Sequence, residues 1–126
     1  MTHIPKILIK TIDPGNQRFG ECGDWFYDAE GDTLTIFVNR MPDWKSELAV
    51  AIHEFYEAVA FLANDGDQTD VDFFDKKFYQ EHDEGQAGDD STAPYYREHC
   101  GATLIEKEVL NQAGISWADH EKNCEP

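Results

Sequence analysis

The chain has 126 residues, of which 26 are acidic and 10 are basic, so its formal net charge is −16 at pH 7. A chain of this length typically forms one domain and buries about two thirds of the surface of its unfolded state. The negative charge argues against direct binding to nucleic-acid phosphates and to anionic membranes, although it is compatible with mimicry of a nucleic acid.

The cysteines and the N-terminal sequence indicate the compartment. Cys22, Cys100 and Cys124 are an odd number without C-x-x-C spacing, so we expect neither a disulfide framework nor a zinc ribbon. The N-terminus lacks the apolar core of a signal peptide, and no apolar run reaches the roughly 18 residues of a membrane span. We therefore expect a soluble protein of a reducing cytoplasm.

The N-terminal part of the chain, residues 1–40, favours β-structure. Lys6 to Ile12 contains alternating β-branched residues and ends at a Pro-Gly turn sequence, as expected for a strand. Phe19 to Asp28 and Thr33 to Asn39 are two further β-rich runs, separated by residues typical of a hairpin loop. We predict a small antiparallel sheet of about three strands, with an apolar face that the next element covers.

That next element is a helix from Ser46 to Asn64, with Asp43 as its N-cap. Its large apolar residues share one side, which we expect to face the core: Leu48, Ile52, Phe55, Val59 and Leu62. His53, Glu54 and Glu57 form a polar stripe on the opposite side. Buried carboxylates require a compensating partner. One cation would balance the charge of both carboxylates and also satisfy the imidazole.

The spacing of the stripe supports a metal ion as this cation. His53 and Glu57 stand at positions i and i+4, so both side chains can reach one ion. Glu54 follows His53 directly and would flank the ion without binding it, as the general base does in an H-E-x-x-H helix. The motif in this chain is H-E-x-x-E. The other interpretation is that its three polar residues bind polar groups of loops or of other chains.

The C-terminal half adds two helices and a loop. Asp70 to Gln80 places aromatic residues at helical spacing behind a cap at Asp70, and residues 81–92 form an acidic loop that we expect to be a mobile rim of the site. A second long helix follows over residues 94–113, capped by Ser91 or Thr92 and closed by Gly114. In the tail we expect Trp117 to pack on the body and the charged end to fray.

His99 and Glu106 lie on or beside the apolar side of this second helix. A catalytic zinc site commonly takes three histidine or carboxylate ligands and a water, and His53, Glu57 and His99 make such a set. Glu106 is the alternative third ligand, although we favour it as a partner that orients an imidazole.

Other residues compete for roles at the site. His82 lies in the acidic loop, where solvation is the ordinary expectation, and His3 and His120 are near the termini. Tyr95 or Tyr96 is a candidate to stabilise an oxyanion, but an aromatic residue at the start of a helix more often belongs to the core.

The motif helix and the later helix together resemble zincin metallopeptidases of the gluzincin arrangement, in which a downstream helix supplies the third ligand. The pattern is also similar to small zincin-like proteins of phages and prophages, which share an H-E-x-x-E helix and then a P-Y-x-x-x-H helix with a later glutamate. Here these are His53 to Glu57, Pro94 to His99, and Glu106, and the resemblance covers Thr33 to Ala113.

The resemblance implies a single α+β zincin-like domain that binds one zinc ion and hydrolyses a peptide or protein substrate, with Glu54 as general base. Glu57 replaces the second motif histidine, so we expect less acidic metal-bound water and slow or absent turnover. The alternative function is an acidic phage-type binding or inhibitor protein in an infected or lysogenic bacterium, which would bind a host protein and hold a structural metal or none.

Overall fold

The computed structural model describes residue 3 and residues 5–125, which form three strands and four α-helices. The strands are β1 (Lys6–Ile12), β2 (Gly23–Asp28) and β3 (Thr33–Asn39). The helices are α1 (Trp44–Ala63), α2 (Gln68–Glu81), α3 (Tyr96–Ala113) and α4 (Trp117–Cys124). The predicted α+β class is confirmed. Four residues lie outside the described part of the chain: Met1, Thr2, Ile4 and Pro126. Pro126 belongs to the charged end that was predicted to fray.

The sheet is mixed and has the order β1-β3-β2. β2 and β3 form the predicted antiparallel hairpin, but β1 runs parallel to β3, so the expectation of a wholly antiparallel sheet is wrong. The reason is that residues 13–22, which include a short 3-10 turn, cross the end of the sheet, so β2 begins beside the C-terminal end of β3. β3 then returns between β1 and β2, antiparallel to β2 and parallel to β1. β2 also starts at Gly23 and not at Phe19, whose ring stacks on Tyr79 outside the sheet.

α1 covers the apolar face of β2 and β3. It begins at the predicted N-cap, because the side chain of Asp43 accepts a hydrogen bond from the backbone N–H of Lys45 at 2.9 Å. The core between α1 and the sheet consists mainly of eight buried side chains: Trp25, Leu34, Ile36, Val38, Val50, Ala51, Ala58 and Phe61.

The orientation predicted for α1 is wrong. Four of the five residues expected in the core are 37 % to 50 % exposed: Leu48, Ile52, Phe55 and Val59. The polar stripe of His53, Glu54 and Glu57 is instead buried, with 5 % to 9 % exposure. Periodicity identifies the two faces of a helix but not which of them is covered, and here α3 covers the polar one.

α3 packs against α1 in an antiparallel direction, since Glu57 of α1 contacts His99 and the earlier His53 contacts the later Glu106. α3 begins at Tyr96, two residues later than predicted and without a side-chain cap, and it ends at the predicted Gly114, which has a φ of 77°. Such a left-handed conformation favours glycine at a helix end.

α2 and the acidic loop differ from their predictions. Asp67, and not Asp70, caps α2 by accepting a hydrogen bond from the N–H of Thr69, so α2 starts earlier than expected. Within the acidic loop, residues 87–89 form a 3-10 turn in which Ala87 and Gly88 are buried. The middle of the loop therefore packs against the body of the protein as part of the site wall.

α4 occupies the tail, whose charged end was expected to fray. Ser116 caps it by accepting a hydrogen bond from the N–H of Asp119 at 3.1 Å, and Asn123 donates to the hydroxyl of Ser46 in α1. His120 in its middle is only 1 % exposed. None of the described helices combines the length and the apolar character needed to cross a membrane.

Candidate metal centre

His53 and Glu57 of α1 and His99 of α3 bring three donor atoms together in the interior. Glu57 Oε2 lies 2.9 Å from His99 Nδ1 and 3.2 Å from His53 Nε2, and the two nitrogens are also 3.2 Å apart. Among the described residues this is the group of histidine, cysteine and carboxylate side chains whose atoms could hold a metal ion.

The dimensions and chemistry of this group fit zinc. Two ligands at about 2.0–2.1 Å from a tetrahedral zinc ion lie about 3.3 Å apart, close to the three separations observed. Two imidazole nitrogens and one carboxylate oxygen are also a donor set that zinc accepts, with a fourth position left for water.

Each candidate ligand contacts a further residue that fixes its direction. The indole N–H of Trp25 donates to Glu57 Oε1 at 2.9 Å, which leaves Oε2 for the ion. Glu106 Oε1 lies 2.7 Å from His53 Nδ1, at ion-pair distance but off the line of an ideal hydrogen bond. Such outer contacts fix the tautomer and orientation of metal-binding histidines.

Glu106 and His99 have partners in α4 and in the acidic loop that were not predicted for them. Glu106 Oε2 lies 2.5 Å from His120 Nε2, so the histidine expected to be terminal is buried next to the site. His99 Nε2 donates to Asp89 Oδ1 at 3.0 Å, which leaves Nδ1 for the ion. No sequence spacing links these pairs, since both depend on how the acidic loop and α4 fold against α3.

The electrostatics of the site favour positive charge. Burial tends to lower the pKa of His53, but hydrogen bonds to Glu106 and Glu57 more than offset this effect and raise it to about 11. Burial similarly tends to raise the pKa of Glu57, but His53 and His99 lower it to about 2. A metal cation bound to His53 would replace its proton at a place where the surrounding carboxylates already stabilise positive charge.

Glu54 lies next to this group but outside the triangle of donors. It is 9 % exposed and lines a small cavity of about 40 Å³, together with the candidate ligands Glu57 and His99. Burial and the neighbouring charge of Glu57 raise the pKa of Glu54 well above its ordinary value. The carboxyl group of Glu54 thus has a raised affinity for a proton beside the ligand set.

Of the other sequence candidates, Tyr95 lines the same cavity and the remaining ones lie elsewhere. The hydroxyl of Tyr95 donates to Asp75 Oδ1 at 2.5 Å, and the residue is buried. Tyr96 is exposed at the start of α3. The ring of His82 stacks on Phe78 at the end of α2. His3 pairs with Asp32.

Glu21, just before β2, is an acidic residue that the sequence analysis did not single out. It is 8 % exposed, neither of its carboxyl oxygens has a hydrogen-bond partner among the described residues, and it lines the same cavity as Glu54. Burial, with Asp24 and Asp75 nearby, raises its pKa to about 9. Arg18 only partly offsets this effect, because its guanidinium donates two hydrogen bonds to Asp24.

Comparison with known proteins identifies no relative. No protein-family model matches the chain, and neither a curated protein nor a solved structure matches it. The resemblance to zincins therefore stays a hypothesis that rests on the motif residues. The function has to be argued from the geometry of the site.

We predict that His99→Ala weakens zinc binding at least about tenfold, because the variant loses one of three ligands and the only one from α3. Removal of zinc by a chelator should also lower the melting temperature of the parent, since the ion links α1 to α3. Zinc affinity is measured by competition with a chromogenic chelator. His82→Ala is the control, and loss of zinc from this variant but not from His99→Ala would place the third ligand in the loop.

Gly88→Ala should weaken zinc binding by a similar factor without removing any ligand. A Cβ atom at Gly88 would lie 2.4 Å from His99 Nδ1, the atom proposed to bind the ion, so the imidazole must move. Outer contacts of this kind typically change metal affinity about 10- to 100-fold. Gly20→Ala is the matched control, because a Cβ atom there meets nothing within 4 Å. Equal zinc affinity in both variants would contradict the assignment of Nδ1.

Glu21→Gln should stabilise the zinc-free protein at neutral and alkaline pH. The pKa of Glu21 rises from 4.5 to about 9 on folding, so its contribution to stability is intact below pH 4.5 and is lost as the pH rises towards 9. The amide removes this loss, with a gain of up to about 3 kcal/mol at pH 7. Urea unfolding at pH 5 and pH 8, with exposed Glu121→Gln as control, measures the difference. A variant less stable than the parent at both pH values would show that Glu21 has a partner.

Proposed function

We propose that the protein is a zinc-dependent hydrolase that cleaves peptide bonds. The observation that supports this function best is the buried carboxyl group of Glu54 beside the donor triangle of His53, Glu57 and His99. A purely structural zinc site is normally closed by four protein ligands, whereas this group offers three and adjoins a cavity.

Three residues around the candidate ligands would each have a role in hydrolysis. Zinc at this site would supply Lewis acidity towards a water molecule and a substrate carbonyl. Glu54 would accept the proton that the water loses and pass it to the leaving amine, a role that suits a buried carboxyl group with a raised pKa. Asp89 and Glu106 would keep the two imidazoles in the ligand tautomers throughout.

A groove of about 880 Å³ provides access to these residues. It is lined by His53, Glu54 and His99 at its inner end and by residues of α4 at its rim. A groove of this size accommodates a short peptide segment. The acidic ligand Glu57 reduces the net charge of the centre, so the proposed enzyme would be slower than one with a third imidazole.

We predict that Glu54→Gln keeps its zinc and its fold but loses about 10²- to 10⁴-fold in peptide hydrolysis, the usual contribution of a general base. The amide preserves the shape of the side chain and removes its ability to accept a proton. Hydrolysis is measured on a degenerate peptide library, zinc by elemental analysis, and the exposed Glu81→Gln serves as the control.

Two outcomes would contradict this function. Loss of zinc from Glu54→Gln would make Glu54 a ligand, which is not compatible with the zincin arrangement. A zinc-loaded parent that cleaves no peptide would favour the alternative function, an acidic binding protein with a structural metal.

A further inference from the structure

We propose that Glu21 binds a primary ammonium group of the substrate beside the metal ligands. This inference rests on the proposed function, because it takes the bound molecule to be a peptide. The ammonium group is then a free N-terminus or the side chain of a lysine.

The first observation is that Glu21 lacks a partner where one is needed. Its two carboxyl oxygens are buried without a hydrogen bond to any described residue. The nearby Arg18 donates to Asp24 instead. A buried polar group without a partner is destabilising, so each one calls for an explanation such as a catalytic role or a bound ligand, ion or water. Glu21 lines both the small cavity and the large groove, so a ligand in the groove can reach it.

The second observation is the charge of the groove. Among the described residues that line it, seven are acidic and none is lysine or arginine. One zinc ion offsets two of these charges. His120 offsets a third, since burial tends to lower its pKa but Cys124 and Glu106 more than compensate this effect and raise it to about 9. The candidate ligand Glu57 adds a further negative charge at the inner end. A groove with this excess of carboxylates raises the local concentration of cationic ligands and repels anionic ones.

The size of the cavity selects among cations. About 40 Å³ is enough for roughly three water-sized groups, since a single water needs about 10–15 Å³ by the same measure. An ammonium group is a compact point charge with three donors, whereas a guanidinium group is a wide planar fork. The cavity thus suits the ammonium group of a lysine or of an N-terminus better than an arginine side chain.

A second metal ion fits less well. Among the described residues, the donor atoms of His53, Glu57 and His99 are the ones close enough together to share an ion, and Glu21 is not in that group. Asp75 and Asp24, which also line the cavity, already accept hydrogen bonds from Tyr95 and Arg18. One free carboxylate suits a monovalent organic cation, whereas a divalent ion needs several such ligands.

The test measures binding of n-butylammonium, n-butylguanidinium and n-butanol to the zinc-loaded protein by calorimetry at pH 6.5 and pH 8, where the amine is almost wholly charged. The proton on Glu21, whose pKa is about 9, must leave when the ammonium group binds, so n-butylammonium should bind more tightly at pH 8. We expect n-butylammonium to bind at least tenfold more tightly than n-butanol, and more tightly than the guanidinium. Glu21→Gln should abolish this preference with unchanged zinc content. Glu121→Gln, which removes an exposed charge at the rim of the groove, should keep it.

A preference for ammonium that survives in Glu21→Gln would overturn the proposal. Loss of one equivalent of zinc in that variant would also overturn it, because Glu21 would then be a metal ligand. Because the readout is binding, a parent that cleaves no peptide would refute the proposed hydrolase and leave this inference intact.

Short alanine peptides identify the source of the ammonium group. Tighter binding of a free N-terminus than of its acetylated form assigns the pocket to the N-terminus. Tighter binding of an acetylated peptide with lysine than of one with norleucine assigns it to the side chain. Peptides that show neither preference would overturn the proposal.

Discussion

The burial of Glu57 between two imidazoles is the interaction on which the rest of the structure depends. Its carboxylate joins His53 on the same helix to His99 on α3 and accepts a hydrogen bond from Trp25 in the sheet. One side chain therefore connects three elements of the fold. Burial of this charge is tolerable only because all of these partners are present, so the packing of α1 on α3 and the geometry of the centre are fixed together.

The proposed ligands could be predicted from the sequence because their spacing is local. His53 and Glu57 are one helical turn apart, and an apolar helix makes a polar stripe conspicuous. The ends of α1 and α3 at Asp43 and Gly114 were also predictable, because capping depends on residue type. The α+β class followed from the order of β-rich and helical segments.

The residues that support the ligands could not be predicted, for a physical reason. Asp89 and His120 meet the site only after a loop and a short terminal helix fold against α3, and neither lies at a fixed spacing from the residue it contacts. The inward direction of the polar stripe on α1 was likewise missed. The large apolar residues favour burial of the opposite face, but the buried side also carries Ala49, Val50 and Ala58, and the ion pairs to α3 compensate its charges.

The exposed apolar side of α1 has a consequence for the colloidal behaviour of the protein. Four large apolar side chains face solvent along one helix, while part of the acidic charge lies inside. Whether the molecules stay apart in solution then depends on long-range repulsion between their formal charges of −16. This repulsion is screened beyond about 8 Å at physiological ionic strength, so added salt brings the apolar faces of neighbouring molecules within reach of each other.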